Sequence, residues 1–258
     1  MPSEASMNPS RFQYTWIAIL LIIIGSSVHL GFNPLSIIDD ADNSAVIIGE
    51  LLEFDFSVWD KVLFSLIETL EMALIGSSIG FALSIPAALL AARNISPSYV
   101  SVIFRSLLGI LWSMPPLLWA ILLVVVVGLG PTAGIFAISL YIMGLSGKYL
   151  YEIYESQNVS AYDAMHVLGA TRMQIAKFVT IPEALPHMGN QYLFLLSYSV
   201  RESSILGLVG AGGIGFYIIH HLESLNYGKA APFILAILAV TLGMDYASTK
   251  LRKKLVHN

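Results

Sequence analysis

Residues 162–186 read Tyr162-Asp-Ala-Met-His-Val-Leu-Gly169-Ala-Thr-Arg172-Met-Gln-Ile-Ala-Lys-Phe-Val-Thr-Ile-Pro182-Glu-Ala-Leu-Pro186, and they separate two apolar blocks of membrane length. This is the longest polar interruption in the second half of the chain. From Asp163 to Ala176 the pattern suits an amphipathic helix, with Ala164, Val167, Leu168 and Ile175 on one apolar face, Gly169 as a break and Pro182 as a stop. A loop that only joined two spanning helices would not need such a helix.

The flanking sequence sets the class. Of 258 residues, 56% are hydrophobic and 12% charged, and the mean hydropathy is +0.75. A soluble domain carries about a quarter charged residues, so this chain belongs in a bilayer. The absence of cysteine excludes disulfides, thiolate metal sites and thiol redox chemistry. His220 and His221 are adjacent, face different ways on a helix and have no third ligand at a suitable spacing, so no metal site is expected. No nucleophile-and-base pair marks an enzyme, no cofactor is expected on the chain, and nothing points to nucleic acid. Gly210-Ala-Gly212-Gly213-Ile-Gly215 formally matches the dinucleotide fingerprint G-x-G-x-x-G. No strand-and-helix alternation surrounds it, and the next acid, Glu223, falls too close for the ribose contact expected about 20 residues on.

In chain order, the apolar periods predict an all-α polytopic membrane protein of about six transmembrane helices. The first runs from Tyr14 to about Phe32, too long for the apolar core of a secretory signal, about 7–15 residues. An acidic connector follows, with Phe54, Phe56, Val58 and Trp59 along the membrane interface. The second helix spans about Val62 to Leu90, and Gly76 and Gly80 give it a small-residue face for close packing. The third, Ser101 to Val127, is predicted in two pieces because Pro115 and Pro116 remove amide donors. The fourth runs from Ala133 to Tyr149, the fifth from about Met188, and the last from Ala231 to Met244 with a start as early as Tyr227. Residues 1–13 and the basic tail 248–258 then flank a transmembrane domain, 14–247, whose main loop is about 150–186. Arg11, Arg93, Arg105, Lys148, Arg172, Lys177 and Lys250 to Lys254 fall on the side shared by both termini, which predicts cytoplasmic termini and a cytoplasmic 162–186 loop.

The loop resembles the cytoplasmic motif of ABC importer permeases, in which Glu-Ala-Ala is followed by Gly at the seventh position and a closing Ile-x-Leu-Pro. Asp163-Ala164-Met165, Gly169 and Val179-Thr180-Ile181-Pro182 keep that spacing without a gap, with Asp163 for Glu and Met165 for Ala as departures. Further on, Val200-Arg201 and Leu206-Gly-Leu-Val-Gly-Ala-Gly-Gly-Ile-Gly215 look like the fifth-helix signature of the phosphonate-type branch, which carries phosphonate, phosphite and phosphate. Lys148, Glu155 and Asp245 stand in the expected order around it. The resemblance implies a type I permease fold in a bacterial inner membrane, with Asp163, Ala164, Gly169 and Pro182 coupling to the ATPase. It also implies partners: a second copy of the chain, two cytoplasmic ATPase subunits holding ATP and Mg, and an external substrate-binding protein. The chain has no G-x-x-x-x-G-K-[ST], so ATP chemistry belongs on a separate subunit. An ion-coupled secondary transporter is the alternative, carried by the intramembrane acids Glu68, Glu71 and Glu202.

Two further features bear on the pathway. Gly207, Gly210, Gly212, Gly213 and Gly215 put irregular backbone at membrane depth, either as the outer gate of a pathway or as a helix-ending turn. Arg201, thirteen residues past Met188, would lie roughly 20 Å into a core of about 30 Å. An unpaired cation there costs several kcal/mol, roughly, so it needs water or a partner. Glu68 and Glu71, about 9 and 14 Å from the outer end at Val62, bracket that depth and are the expected ion-pair partners. The other reading has Arg201 in the pathway, meeting the anion.

Overall fold

The computed structural model describes residues 9–32, 41–156, 164–165 and 167–256, and among them it contains helices and turns but no strand. The helices are α1 (Pro9–His29), α2 (Ala41–Leu52), α3 (Trp59–Ala91), α4 (Ser98–Ser113), α5 (Pro116–Val127), α6 (Pro131–Ser156), α7 (Arg172–Ile175), α8 (Ile181–Leu206), α9 (Ile214–Glu223) and α10 (Tyr227–Val256). The chain divides into two compact units, Met1–Glu50 and Leu51–Asn258. In the first, α1 exposes nearly every side chain from Tyr14 onward, and its apolar run is Tyr14–His29. Helix α2 occupies part of the acidic connector, for which no helix was expected.

In the second unit, Phe56–Ala91, Pro131–Ser156 and Tyr227–Lys253 are each long and apolar enough to cross a membrane, and two bent pairs bring the number to five. The first pair is α4 and α5, which meet at 91° at Met114-Pro115, as the two prolines require. The second is the helical run through α8, which bends by 43° into α9.

Small residues hold the bundle together, because they let backbones approach. A Cβ at Gly80 would lie 2.5 Å from Ser139 O, and one at Gly76 would lie 2.9 Å from Ile138 Cβ, so the close packing expected at these glycines is made with α6. The Ser139 hydroxyl completes that contact by donating to Gly76 O at 3.1 Å. On its other side α6 meets α4 through Gly144, where a Cβ would lie 2.5 Å from Trp112 N. Helix α6 is thus clamped between α3 and α4. Ser84 and Ser146, both wholly buried, share a hydrogen bond of 3.1 Å across the α3–α6 contact, which satisfies two hydroxyls that water cannot reach.

The start of the fifth span departs from expectation. Pro182 does not stop a helix; it lies in the first turn of α8, and Pro186 lies inside α8. Proline cannot donate to the carbonyl four residues back, but the backbone widens to π geometry over Ala176–Thr180, with Ile181 N bonded to Ala176 O. The helix therefore runs through both prolines and begins at Ile181 rather than near Met188.

Candidate translocation pathway and coupling surface

Among the described residues, the loop between α6 and α8 holds short helical pieces on either side of a turn rather than one continuous amphipathic helix. Asp163 lies outside the described residues. Ala164, Met165 and Val167 are helical, the chain turns at Leu168-Gly169, and Thr171 starts α7 with a capping box. The Thr171 hydroxyl accepts from Gln174 N at 3.3 Å while the Gln174 side chain accepts from Thr171 N at 2.8 Å. Gly169 has φ +78° and open space where a Cβ would stand, so its requirement is conformational, not steric. The apolar face predicted for this segment divides at the turn. Ile175 is buried, whereas Val167 and Leu168 are 86% and 81% exposed. Met173 and Phe178 are exposed as well.

The glycine run forms a tight turn wedged between α3 and the start of α6. Gly210, Gly212 and Gly213 have φ of +80°, +80° and +76°, a region that side-chain-bearing residues rarely adopt. A Cβ on Gly212 would stand 3.0 Å from Glu68 Oε1 and from Pro131 Cγ, and one on Gly213 would stand 2.8 Å from Thr69 Oγ1. Side chains at Gly207 and Gly215 would enter the backbones of Phe216 and Ser204. Two bonds fix the turn: Ile214 N donates to Thr69 Oγ1 at 2.8 Å, and Gly130 N donates to Gly210 O at 2.9 Å. Ala211 and Ile214 are wholly buried by this arrangement.

Arg201 pairs with Asp245 on α10, Nη2 to Oδ2 at 3.0 Å, and the side chains are 53% and 44% exposed. The expected partners, Glu68 and Glu71, do not make this pair. Glu68 borders the glycine turn, and Glu71 is exposed on α3. Antiparallel α8 and α10 are tied along this line by Ser248 Oγ to Leu193 O at 2.9 Å and Ser197 Oγ to Met244 O at 3.4 Å. Asp245 stood out in sequence only by its order around the fifth-helix signature, and its pairing with Arg201 is what the sequence reasoning missed. The signal was present: it is an acid in the last apolar stretch, with a lone arginine opposite.

A second ion pair, Arg105 to Glu155, joins α4 to α6, and Glu155 also accepts from Arg93 N at 2.6 Å. Arg105 donates through Nε to Ala91 O at 2.9 Å, so one arginine ties α4 to the ends of α3 and α6. Trp112, Ser113, Pro115, Pro116, Tyr141, Tyr198 and Glu202 line a pocket of about 490 Å³. No group of His, Asp and Glu able to hold a metal ion occurs among the described residues.

Residues 84–256 match the family described as the binding-protein-dependent transport system inner membrane component. The chain belongs to this permease family. Over 210 residues it is 35% identical to the phosphite transport system permease protein PtxC of Stutzerimonas stutzeri, covering 81% of this chain and 76% of that one. It is 28% identical over 256 residues to the phosphate-import permease protein PhnE of Mycolicibacterium smegmatis, covering 96% of this chain and 48% of that longer one. In fold it is similar to the MetNI methionine ABC transporter in an inward-facing form, with TM-score 0.68, 21% identity, and 78% and 99% of the two chains covered. The chain is a multi-pass inner-membrane permease of an ABC importer, and no comparison supports the ion-coupled secondary transporter.

Proposed function

We propose that this permease carries a small phosphorus oxyanion, phosphite, phosphonate or phosphate, into the cell. The observation that carries the reading is 35% identity to a phosphite permease across most of both chains. Arg201 supports it physically. An ion pair in the membrane domain with both side chains about half exposed in the single chain needs water or a second chain beside it, and a water-filled pathway there puts Arg201 within reach of an anion. Two copies around a two-fold axis would bring two such arginines together, a cationic waist suited to a doubly charged oxyanion.

The working assembly is two copies of the permease, two cytoplasmic ATPases that hold ATP and Mg, and an external binding protein. Both termini and the 162–186 loop face the cytoplasm, as the distribution of Arg and Lys favours. The exposed Val167, Leu168, Met173 and Phe178 then form the surface on which the ATPase docks, with Gly169 setting its angle. The alternating-access role of the glycine turn follows: its buried Ala211 opens and closes as the outer gate.

The test is uptake of labelled phosphite, methylphosphonate and phosphate by proteoliposomes holding the whole importer. Saturable, ATP-dependent uptake of at least one of them is expected. Uptake of none, from an importer whose ATPase is active, rejects the substrate class.

A further inference from the structure

The seam between α8 and α10 carries a second arginine whose charge the chain does not neutralise. Phe194 and Arg201 are seven residues apart on α8, as are Asp245 and Arg252 on α10, so each pair shares one helix face two turns apart. Arg201 meets Asp245 at one level of the seam, and Arg252 meets Phe194 at the other, its Cζ 5.9 Å from the ring centroid. The two levels are about 10 Å apart along the helices. Counted from Tyr227 at about 1.5 Å per residue, Arg252 stands roughly 37 Å along α10, past a hydrocarbon core of about 30 Å and level with the headgroups.

Arg252 belongs to neither ion pair among the described residues, Arg105–Glu155 or Arg201–Asp245. Its Nη2 donates to Thr249 Oγ1 at 3.3 Å, one turn back on the same helix, and its Nε is buried without a hydrogen-bond acceptor. An orphaned N–H on a charged group is costly, and the fork of guanidinium donors suits the paired oxygens of an anion. Neither helix offers that anion near Arg252: residues 184–201 and 246–256 contain no Asp or Glu. Lys250 and Lys253 flank Arg252 in sequence, but both are exposed, whereas Arg252 is partly buried. A basic tail on the cytoplasmic side accounts for the exposed lysines and does not account for the seat of the arginine.

We propose that Arg252 is the guanidinium of a phosphorus-oxyanion site at the cytoplasmic end of the α8–α10 seam, two turns beyond Arg201. A rotation at the end of its side chain turns the Nε–Nη2 edge onto the anion, exchanging the long contact with Thr249 for two charge-assisted bonds. Two sources share this chemistry at this depth: the solute leaving the pathway and the phosphate of an anionic lipid headgroup. The solute source rests on the phosphorus-oxyanion reading of the permease, and the site itself rests on the surroundings of Arg252.

The test is modification by phenylglyoxal, which adds to free guanidinium groups, read arginine by arginine by peptide mass spectrometry. The sample is the full-length permease with its ATPase in dodecyl maltoside, with no phospholipid added and no binding protein present. Arg172, exposed at the start of α7, is the internal reference. Against chloride at equal ionic strength, inorganic phosphite, inorganic phosphate or dioctanoyl phosphatidylglycerol should slow modification of Arg252 saturably, about tenfold at ten times the dissociation constant, and leave Arg172 unchanged. Protection by phosphite or phosphate assigns the site to the solute, and protection by phosphatidylglycerol alone assigns it to lipid. Protection by none of them, or equal protection of Arg172, overturns the site. The protecting anion should also raise the thermal midpoint of the complex. Arg252→Gln should abolish that rise, and Arg252→Lys, which keeps the charge but not the fork, should retain only part of it. An equal rise in the unaltered protein and in Arg252→Gln overturns the site. Neither readout requires transport, so protection of Arg252 by an importer that takes up no phosphorus oxyanion keeps the site and rejects only the substrate class.

Discussion

At the scale of single residues, Gly169 and Arg201 carry the sharpest consequences. The space around Gly169 is open, so a side chain there meets no clash, but φ +78° costs an ordinary residue about 1–2 kcal/mol. Even Gly169→Ala should therefore reduce co-purification with the ATPase, while Gly169→Asn, which tolerates left-handed backbone, should retain more of it; equal loss in both would point to a steric cause instead. For Arg201, the exchange Arg201→Asp with Asp245→Arg keeps the ion pair and reverses its polarity. Membrane levels should recover relative to either single variant while uptake stays near background. Recovery of uptake in the exchanged protein would make the pair structural and remove Arg201 from the pathway. The direction in which Arg201 points was not legible in the sequence, and its height was counted from Met188, whereas the helix begins at Ile181. Spacing from a helix end fixes height only, and Glu68, Glu71 and Asp245 are distinguished by how α3, α8 and α10 are arranged around one another.

At the scale of elements, the contact between α3 and α6 is set by glycines whose environments differ from those of glycines elsewhere. Gly80→Ala forces a methyl against Ser139 O and should destabilise the chain by about 1–3 kcal/mol, read as a lower thermal midpoint in detergent. Gly109→Ala in α4, with nothing within 4 Å, should be neutral or stabilising by about 0.5–1 kcal/mol. Similar shifts in the two variants would contradict the packing account. The Gly76 and Gly80 spacing and the Pro115-Pro116 break could be read directly from sequence, because both are local rules of backbone chemistry. Pro182 could not be read that way. Whether a proline ends a helix depends on whether the preceding turn can widen, and the π geometry over Ala176–Thr180 is a property of the turn's surroundings. The pocket at the α4–α5 break was likewise hidden, since Trp112, Tyr141 and Glu202 come from three helices distant in sequence.

At the scale of the whole molecule, the glycine turn is the part expected to move. Ala211 is wholly buried in this conformation, and Leu206 and Ile214 beside it are too. In this cysteine-free chain, Ala211→Cys should be protected from a polar thiol reagent in one nucleotide state of the importer and labelled in the other. Identical labelling with and without trapped nucleotide would make the segment a static turn. We propose that the energy source lies outside this chain, a reading that the family match supports. That is the central claim, and one comparison tests it directly: phosphite uptake by cells carrying the importer, with the partner ATPase intact or deleted, and with a protonophore added at clamped ATP. Uptake should vanish with the ATPase and withstand the protonophore, whereas uptake that survives loss of the ATPase and collapses with the proton gradient would contradict the account.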